Sequence, residues 1–360
     1  MYTGKIHKLP QNMGCIFSHL GVTAHQNENF EIPPKTYSWD KREKMNVQDF
    51  IIDGVKNETV GRLPGVVNGQ QMVIQNCENC NIYIFDHTNT LTIDDCTECN
   101  IFLGPVKTSV FIRDCKNCNF AVACQQFRTR DCSQVSIYLF CGTQPIIESS
   151  TGMKFGCLQY NYPEFKDQFK AAGLSIYNNN WSNIHDFTPV PGENNFGLLT
   201  EDLIVDCSLI PTTEQFSTVE VTSDKHTSLV PYTSGSRRKT SDESCLVVFF
   251  KDDASNKRAE IFTESLIRNG SFILAQTKEV PMQAGDAQRV FGSEVYSNAV
   301  GKGAVIGLEI NGTGCIKFCQ DVIADLLKDS PGVVFVSQNQ AAATQNIDNF
   351  YNFANMQMEI

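Results

Sequence analysis

A twelve-residue segment recurs four times in the first half of the chain. It reads IQNCENCNIYIF from Ile74, IDDCTECNIFLG from Ile93, IRDCKNCNFAVA from Ile112 and, in degenerate form, TRDCSQVSIYLF from Thr129. The first three copies are spaced by 19 residues, a period typical of solenoids in which each coil buries its inner face against its neighbours. Because the copies are rich in β-branched and aromatic residues, the period predicts an all-β parallel β-helix.

The CxxC pairs inside these repeats raise the alternative of a zinc site. The pairs Cys77/Cys80 and Cys96/Cys99 alone match a zinc-ribbon spacing. The third pair continues the same period, however, and Val135 replaces the second cysteine of the fourth copy. Valine cannot bind a metal but can fill a small apolar position, so we expect stacked core thiols and no metal site. A turn is predicted just before each copy's first cysteine, at Asn76, Asp95, Asp114 and Asp131.

The repeat also orients the stretch CQQFRTRDC, residues 124–132. Aligning the copies places Thr129 in an inward column, and because strand side chains alternate, Arg128 and Arg130 are predicted to point outward. The inward column is Ile74, Ile93, Ile112 and Thr129; Arg128 continues Val73, Thr92 and Phe111; Arg130 continues Gln75, Asp94 and Arg113. An outward arginine is by default a solvated surface residue. The nearby Gln125, Gln126 and Glu148 favour a functional cluster instead.

Composition narrows the class of protein. At 360 residues the chain is long enough for about two domains. A net charge of −11 argues against a nucleic-acid partner, because phosphate contacts need a basic surface. The 15 cysteines are odd in number, and the first residues, MYTGKIHKLPQN, lack an apolar core. We therefore expect reduced thiols and a cytoplasmic protein.

An internal acylation signal begins at Met13, in MGCIFSHL. Gly14 followed by Ser18 fits the N-myristoylation pattern, and Cys15 is placed for palmitoylation. Myristoyl transfer needs a free glycine amine, so the signal works only if translation starts at Met13 or the first twelve residues are lost. Two acyl chains would anchor the protein stably to a membrane, whereas one would bind weakly.

Several motifs together carry a resemblance to a known family. The repeats, CQQFRTRDC, TQPIIESS and NNNWSNIHDF resemble the tubulin-cofactor-C domain, and similarity continues through YSWDKREK, ETVGRLPG and FYNFANMQM. The resemblance implies a right-handed β-helix that activates GTP hydrolysis by an Arf-like small GTPase, ADP-ribosylation-factor-like protein 3. It makes Arg128 the catalytic arginine, Gln125 its supporting glutamine and Glu148 its orienting carboxylate. Residues that would bind the partner are Gln126, Arg130 and Phe187.

The same resemblance implies the protein's setting. It predicts an activator rather than an enzyme with its own substrate, with GTP and Mg²⁺ contributed by the partner and no cofactor of its own. It places the protein at the cytoplasmic face of the plasma membrane and the ciliary base, supporting transport of lipidated proteins. Without acylation it would be cytoplasmic. A non-catalytic effector that binds the GTP-bound partner stays an alternative, as does a structural zinc protein, and tubulin stays open as a client.

The chain is predicted to have four parts. Residues 1–36 form a flexible segment with the acylation motif, and 37–205 form the β-helix. A Ser/Thr-rich linker covers 206–243, and 244–360 alternate strand and helix patterns as an α/β domain of ferredoxin-like character. This last part resembles nucleoside diphosphate kinase. His226 is the last histidine and precedes that domain, so phosphohistidine chemistry is not expected, and no Walker A loop is present.

Overall fold

A computed structural model describes residues 47–200 and 207–358. The predicted acylation sites Gly14 and Cys15 lie outside these described residues. The first part is a parallel β-helix. Its strands are β1 (Ile51–Asp53), β2 (Thr59–Arg62), β3 (Met72–Gln75), β4 (Asn81–Ile84), β5 (Leu91–Asp94), β6 (Asn100–Arg113), β7 (Asn119–Arg130), β8 (Ser136–Cys141), β9 (Ile146–Glu148), β10 (Met153–Cys157), β11 (His185–Asp186) and β12 (Phe196–Leu198).

Each coil contributes a strand to two long sheets. One sheet runs β1-β3-β5-β6-β7-β9-β11, and the other runs β2-β4-β6-β7-β8-β10-β12. The long strands β6 and β7 belong to both because they turn the corner between the sheets, where their register shifts. A short third side is a series of single bridges, through Glu78, Thr97, Lys116, Ser133 and Thr151. The predicted β-helix is confirmed.

The interior is a stack of equivalent side chains, as the repeat predicts. Ile74, Ile93, Ile112 and Thr129 are register partners in successive strands, and all are buried. The cysteines of the three CxxC pairs are free and buried, and Val135 fills its rung at 1% exposure. The turn residues Asn76, Asp95, Asp114 and Asp131 all have a left-handed backbone, with φ between 53° and 56°. Asparagine and aspartate tolerate this conformation best among non-glycine residues.

The thiols lie in the core and form hydrogen bonds with backbone carbonyls. Cys77 Sγ donates to the Gln75 carbonyl at 3.2 Å, and Cys115 Sγ donates to the Arg113 carbonyl at the same distance. Burial raises the pKa of Cys80 and of Cys124 above the ordinary thiol value. Within residues 47–200 and 207–358, no group of three or more His, Cys, Asp or Glu side chains is arranged to hold a metal ion.

Among residues 47–200 and 207–358, further elements pack on the outer face of the second sheet and leave that of the first sheet uncovered. Helix α1 (Phe165–Ala172) packs there with Phe165 and Phe169, against aromatic residues such as Phe102 and Phe140. The segment that composition predicts to be a linker also packs on this face, together with the short helix α2 (Glu214–Ser217). Its apolar residues Leu209, Phe216 and Val219 are scattered among Ser and Thr, and all are buried. Residues 207–230 are therefore a covering layer of the β-helix.

The last part is an antiparallel sheet between helices. Its strand order is β14-β15-β13-β16. The elements are β13 (Ser244–Phe249), α3 (Ser255–Asn269), β14 (Ile273–Val280), α4 (Ala284–Phe291), α5 (Ser297–Val300), β15 (Val305–Asn311), α6 (Cys315–Asp329), β16 (Val334–Val336) and α7 (Gln340–Met358). Cores lie on both faces of the sheet, as expected for an α/β layer structure. Of the helices described, none is both long and apolar enough to cross a membrane.

Candidate functional site

The outer face of the first sheet is open to solvent and carries the predicted site residues. We call it the open face. It consists of two columns of outward side chains: Val73, Thr92, Phe111, Arg128, Ile146 and His185 in the first, and Gln75, Asp94, Arg113, Arg130 and Glu148 in the second. All of these residues are half-buried or exposed. Arg128 and Arg130 thus point outward as predicted, while Phe127 between the corner and Arg128 is buried against Phe155.

The basic residues of the open face differ in their ion pairs. Arg113 is bound to Asp94 by two bonds, Nε to Oδ1 at 2.6 Å and Nη2 to Oδ2 at 2.7 Å. Arg130 Nε lies 3.2 Å from Asp131 Oδ2. Arg128 forms no ion pair with any other residue that the structure describes. Its guanidinium is therefore available for an external anion.

A rigid strand presents this guanidinium. Arg128 lies between Phe111 and Ile146 in the ladder, and its neighbours along the strand, Phe127 and Thr129, are fixed in the interior at 0% and 2% exposure. Rungs are spaced by about 4.8 Å, and residues two apart on a strand by about 6.6 Å. The position of the Arg128 backbone is thus set by core packing on both sides.

Glu148 pairs with Arg130 in the ladder and not directly with Arg128. From the strand spacings, its Cα lies about 8 Å from that of Arg128, on the same face. Long arginine and glutamate side chains can span this separation. Among the described residues, the Glu148 carboxylate forms no ion pair with Arg128, so the predicted orienting contact is not made in this structure.

The two glutamines lie at the corner where β7 turns between the sheets. Gln126 is exposed, and its Oε1 accepts a hydrogen bond from Ser109 Oγ at 3.0 Å. The Gln125 side chain lies over Gly142, so closely that a Cβ at Gly142 would be 2.5 Å from Gln125 Oε1. The Gln125 carbonyl accepts from Thr143 N and Thr143 Oγ1, at 2.9 and 3.0 Å. Contacts from Gly142 and Thr143 therefore fix the backbone and side chain of Gln125 at this corner.

Phe187 lies at the end of the open face and is 60% exposed. Its amide donates to the Ile147 carbonyl at 2.9 Å, which continues the pairing of β11 with β9. The ring meets His185 edge to face, with centroids 4.8 Å apart. The family resemblance assigns no role to His185, although its spacing of two from Phe187 in NIHDF indicates the same outward face.

Taken together, the open face combines one uncommitted guanidinium with apolar side chains. Phe111, Ile146 and Phe187 supply partly or well exposed apolar surface around Arg128. A rigid apolar surface with a free arginine suits docking of a protein that carries an anion, since arginine offers a planar fork of donors to phosphate or carboxylate. The arrangement contains no nucleophile–base pair of its own among Arg128 and its ladder neighbours.

Comparison with known proteins covers both parts of the chain. The family model described as Tubulin binding cofactor C matches residues 69–187, a range that includes the open face. Protein XRP2 of Homo sapiens is 54% identical over 353 residues, covering 97% of this chain and 100% of that protein. Protein XRP2 of Gallus gallus is 55% identical over 359 residues, covering 96% and 99%. Tubulin-specific chaperone C of Homo sapiens is 30% identical over 133 residues, 37% of this chain and 38% of that protein.

Proposed function

The chain belongs to the Protein XRP2 family, and from that premise we propose that it is a GTPase-activating protein. In this proposal Arg128 acts in trans on the GTP held by an Arf-like small GTPase, ADP-ribosylation-factor-like protein 3. One observation carries the proposal: Arg128 is exposed on a rigid, uncovered sheet and forms no ion pair with the described residues. The protein would not turn over a substrate of its own, and GTP and Mg²⁺ would come with the partner.

The chemistry explains why an arginine is needed. In the transition state of GTP hydrolysis, negative charge is spread over the transferring phosphoryl group, and a guanidinium brought from outside neutralises it. Arginine stays protonated and can donate two parallel hydrogen bonds, whereas lysine offers a single point charge. Such an arginine supplies ~10³ to 10⁵ in rate, or about 4 to 7 kcal/mol of barrier.

The other residues would bind or position groups. Gln125 and Gln126 at the corner would contact the partner's nucleotide-binding loops, and Arg130 would meet an acidic group beside them. Phe187 would bury its exposed ring in the partner. Glu148, about 8 Å from Arg128 by strand spacing, would accept a hydrogen bond from the guanidinium once both are enclosed and so fix its direction.

The test is single-turnover GTP hydrolysis by ADP-ribosylation-factor-like protein 3 at saturating concentrations of the activator. We expect Arg128→Ala to lower the maximal rate by about 10³-fold or more while binding to the partner loaded with a GTP analogue persists. Arg128→Lys keeps the charge without the fork and should recover only a small part of the rate. Arg130→Ala is the matched control on the same strand and face. It should raise the concentration needed and leave the maximal rate nearly unchanged.

A binding-only effector is the second candidate, favoured by the apolar surface around Arg128. It predicts that the wild-type protein binds the GTP-loaded partner and leaves its hydrolysis rate unchanged. That result would end the activator proposal and leave the docking surface intact. Because Tubulin-specific chaperone C shares the domain, tubulin is a further candidate partner, to be tested by co-sedimentation in the same experiments.

Membrane attachment is proposed from the sequence alone. If Gly14 becomes the first residue, myristoylation there and palmitoylation of Cys15 would hold the protein at the cytoplasmic face of the plasma membrane and at the ciliary base. There it would release lipidated cargo proteins by switching off the GTPase. Mass spectrometry of the cellular protein tests this: an N-terminus starting at Met1 with no acyl group would contradict it.

A further inference from the structure

The α/β part meets the β-helix along its edge strand, β14. Asn178 of the β-helix pairs with this strand through its side chain: Oδ1 accepts from the Glu279 amide at 2.7 Å, and Nδ2 donates to the Glu279 carbonyl at 3.0 Å. Thr277 Oγ1 donates to the Tyr177 carbonyl at 2.6 Å. Residues 177–178 therefore take the place of a neighbouring strand, which fixes how the two parts join.

Lys278 reaches further into the β-helix from the same strand. It is only 4% exposed, and burial lowers its pKa to about 8. Its Nζ donates a hydrogen bond to Asn180 Oδ1. Burying a lysine costs free energy, because its charged form loses hydration. An apolar side chain would avoid this cost but could not donate the hydrogen bond to Asn180.

Asn180 carries the contact on to the corner of the β-helix. Its Nδ2 donates to the Gly142 carbonyl at 2.7 Å, and its amide donates to the Cys141 carbonyl at 2.8 Å. The neighbouring Asn179 accepts from the Cys141 amide through Oδ1 at 3.1 Å. Residues 141–142 are thus held by the NNNW stretch, and Lys278 holds one of its asparagines.

The held corner is the one that supports Gln125. The Gly142 amide donates to the Cys124 carbonyl at 2.9 Å, and Thr143 donates to the Gln125 carbonyl. Gln125 lies directly over Gly142, and Arg128 follows three residues later on the same strand. A continuous series of contacts therefore runs from Lys278 through Asn180 and Gly142 to Gln125.

We propose that Lys278 is a positioning residue of the activating site. Through Asn180 it fixes the corner at 141–143, and through that corner it fixes Gln125 and the start of the strand that carries Arg128. The α/β part is then a structural component of the site. This inference rests on the proposed function, because it assigns the corner a part in the acceleration of GTP hydrolysis.

The test compares Lys278→Met with the wild type in the full chain. Methionine keeps the length of the side chain and removes the donor. We expect faster hydrogen exchange at the amides of Gly142 and Thr143, a maximal hydrolysis rate lowered about tenfold and less than a twofold change in affinity for the GTP-loaded partner. Lys317→Met is the matched control, since Lys317 is exposed on α6 and its ion pair among the described residues is with Asp321, one turn away. It should change none of these quantities.

A second variant covers the case in which Lys278→Met does not fold. Asn180→Asp keeps an acceptor for Lys278 but loses the Nδ2 donor to Gly142, so it should give the same two defects. Unchanged exchange at 142–143 in either folded variant overturns the inference, as does unchanged rate with increased exchange. If the wild type fails to accelerate hydrolysis at all, the proposed function fails, and the exchange measurement still reports separately whether Lys278 holds the corner.

Discussion

Replacing Gly142 by alanine should displace Gln125 and little else. The backbone of Gly142 is not in the left-handed region, so alanine adds no strain there, but its Cβ would lie 2.5 Å from Gln125 Oε1 and 2.9 Å from Cδ. Ordinary van der Waals contacts begin at 3.4 Å. The side-chain amide of Gln125 must therefore withdraw by about 0.9 Å, the difference between 3.4 Å and the 2.5 Å of its Oε1. The end of a glutamine side chain can move this far without moving the backbone.

The two consequences differ in size. Alanine for glycine at a permissive site gains about 0.4–1 kcal/mol by restricting the unfolded chain, which offsets most of the cost of moving the amide, so the melting temperature should change by a few degrees at most. A positioning group misplaced by about 1 Å can cost up to about 100-fold in rate. We expect Gly142→Ala to lower the maximal hydrolysis rate by about 10- to 100-fold, or roughly 1.4 to 2.7 kcal/mol.

The assay is a double-mutant cycle in single-turnover hydrolysis. In a Gln125→Ala background the added methyl group has nothing to displace, so Gly142→Ala should then have almost no further effect. Gly197→Ala in β12 is the control, because a Cβ there meets no atom within 4 Å. If Gly142→Ala were as active as the wild type, Gln125 would have no part in the site. Equal losses with and without Gln125 would place the effect elsewhere.

Two further predictions concern the interior. Cys118→Tyr should unfold the β-helix at a cost beyond the about 1–3 kcal/mol of milder overpacking, because Cys118 is 1% exposed and its sulfur is 3.2 Å from the Lys116 carbonyl. Cys118→Val, which copies Val135 on the next rung, should cost less than about 1.5 kcal/mol. Thermal melting measures both, and a melting temperature unchanged by tyrosine would contradict the placement of Cys118 in the core. Lys278 has a folded pKa of about 8 against 10.5 when exposed, so above pH 8 the unfolded chain binds the extra proton. The free energy of unfolding of the wild type relative to Lys278→Met should therefore rise by about 2 to 3 kcal/mol from pH 7 to pH 10, and a flat difference in urea titrations would refute this.

The repeat made the β-helix and its columns predictable, because one residue's direction fixes that of its equivalents in every coil. The presence of Val135 in the fourth copy indicated, from sequence alone, that the cysteine positions have to be filled by a small apolar side chain. Arg128 and Arg130 could be placed outward for the same reason. The period ends after the fourth copy, however, so the pairing of Glu148 with Arg130 and the place of His185 needed the structure.

Contacts between distant parts of the chain were beyond the sequence. Lys278 and Asn180 are 98 residues apart, and neither stands in a motif that indicates the other. The segment 206–243 reads as a linker because its Ser and Thr residues outnumber the few apolar ones. Its buried Leu209, Phe216 and Val219 pack on the outer face of the second sheet. The sequence does not show that this face is apolar and has to be buried.

The stacked coils also determine where this architecture can grow or shrink. Adding or removing a coil before β3 would lengthen or shorten the β-helix at its amino-terminal end. The distances among Arg128, Glu148 and Phe187 would not change. A coil inserted between β7 and β9 would separate them by another rung of about 4.8 Å. Relatives of different coil number could therefore keep the same footprint on a partner, provided that the variation is confined to the amino-terminal end.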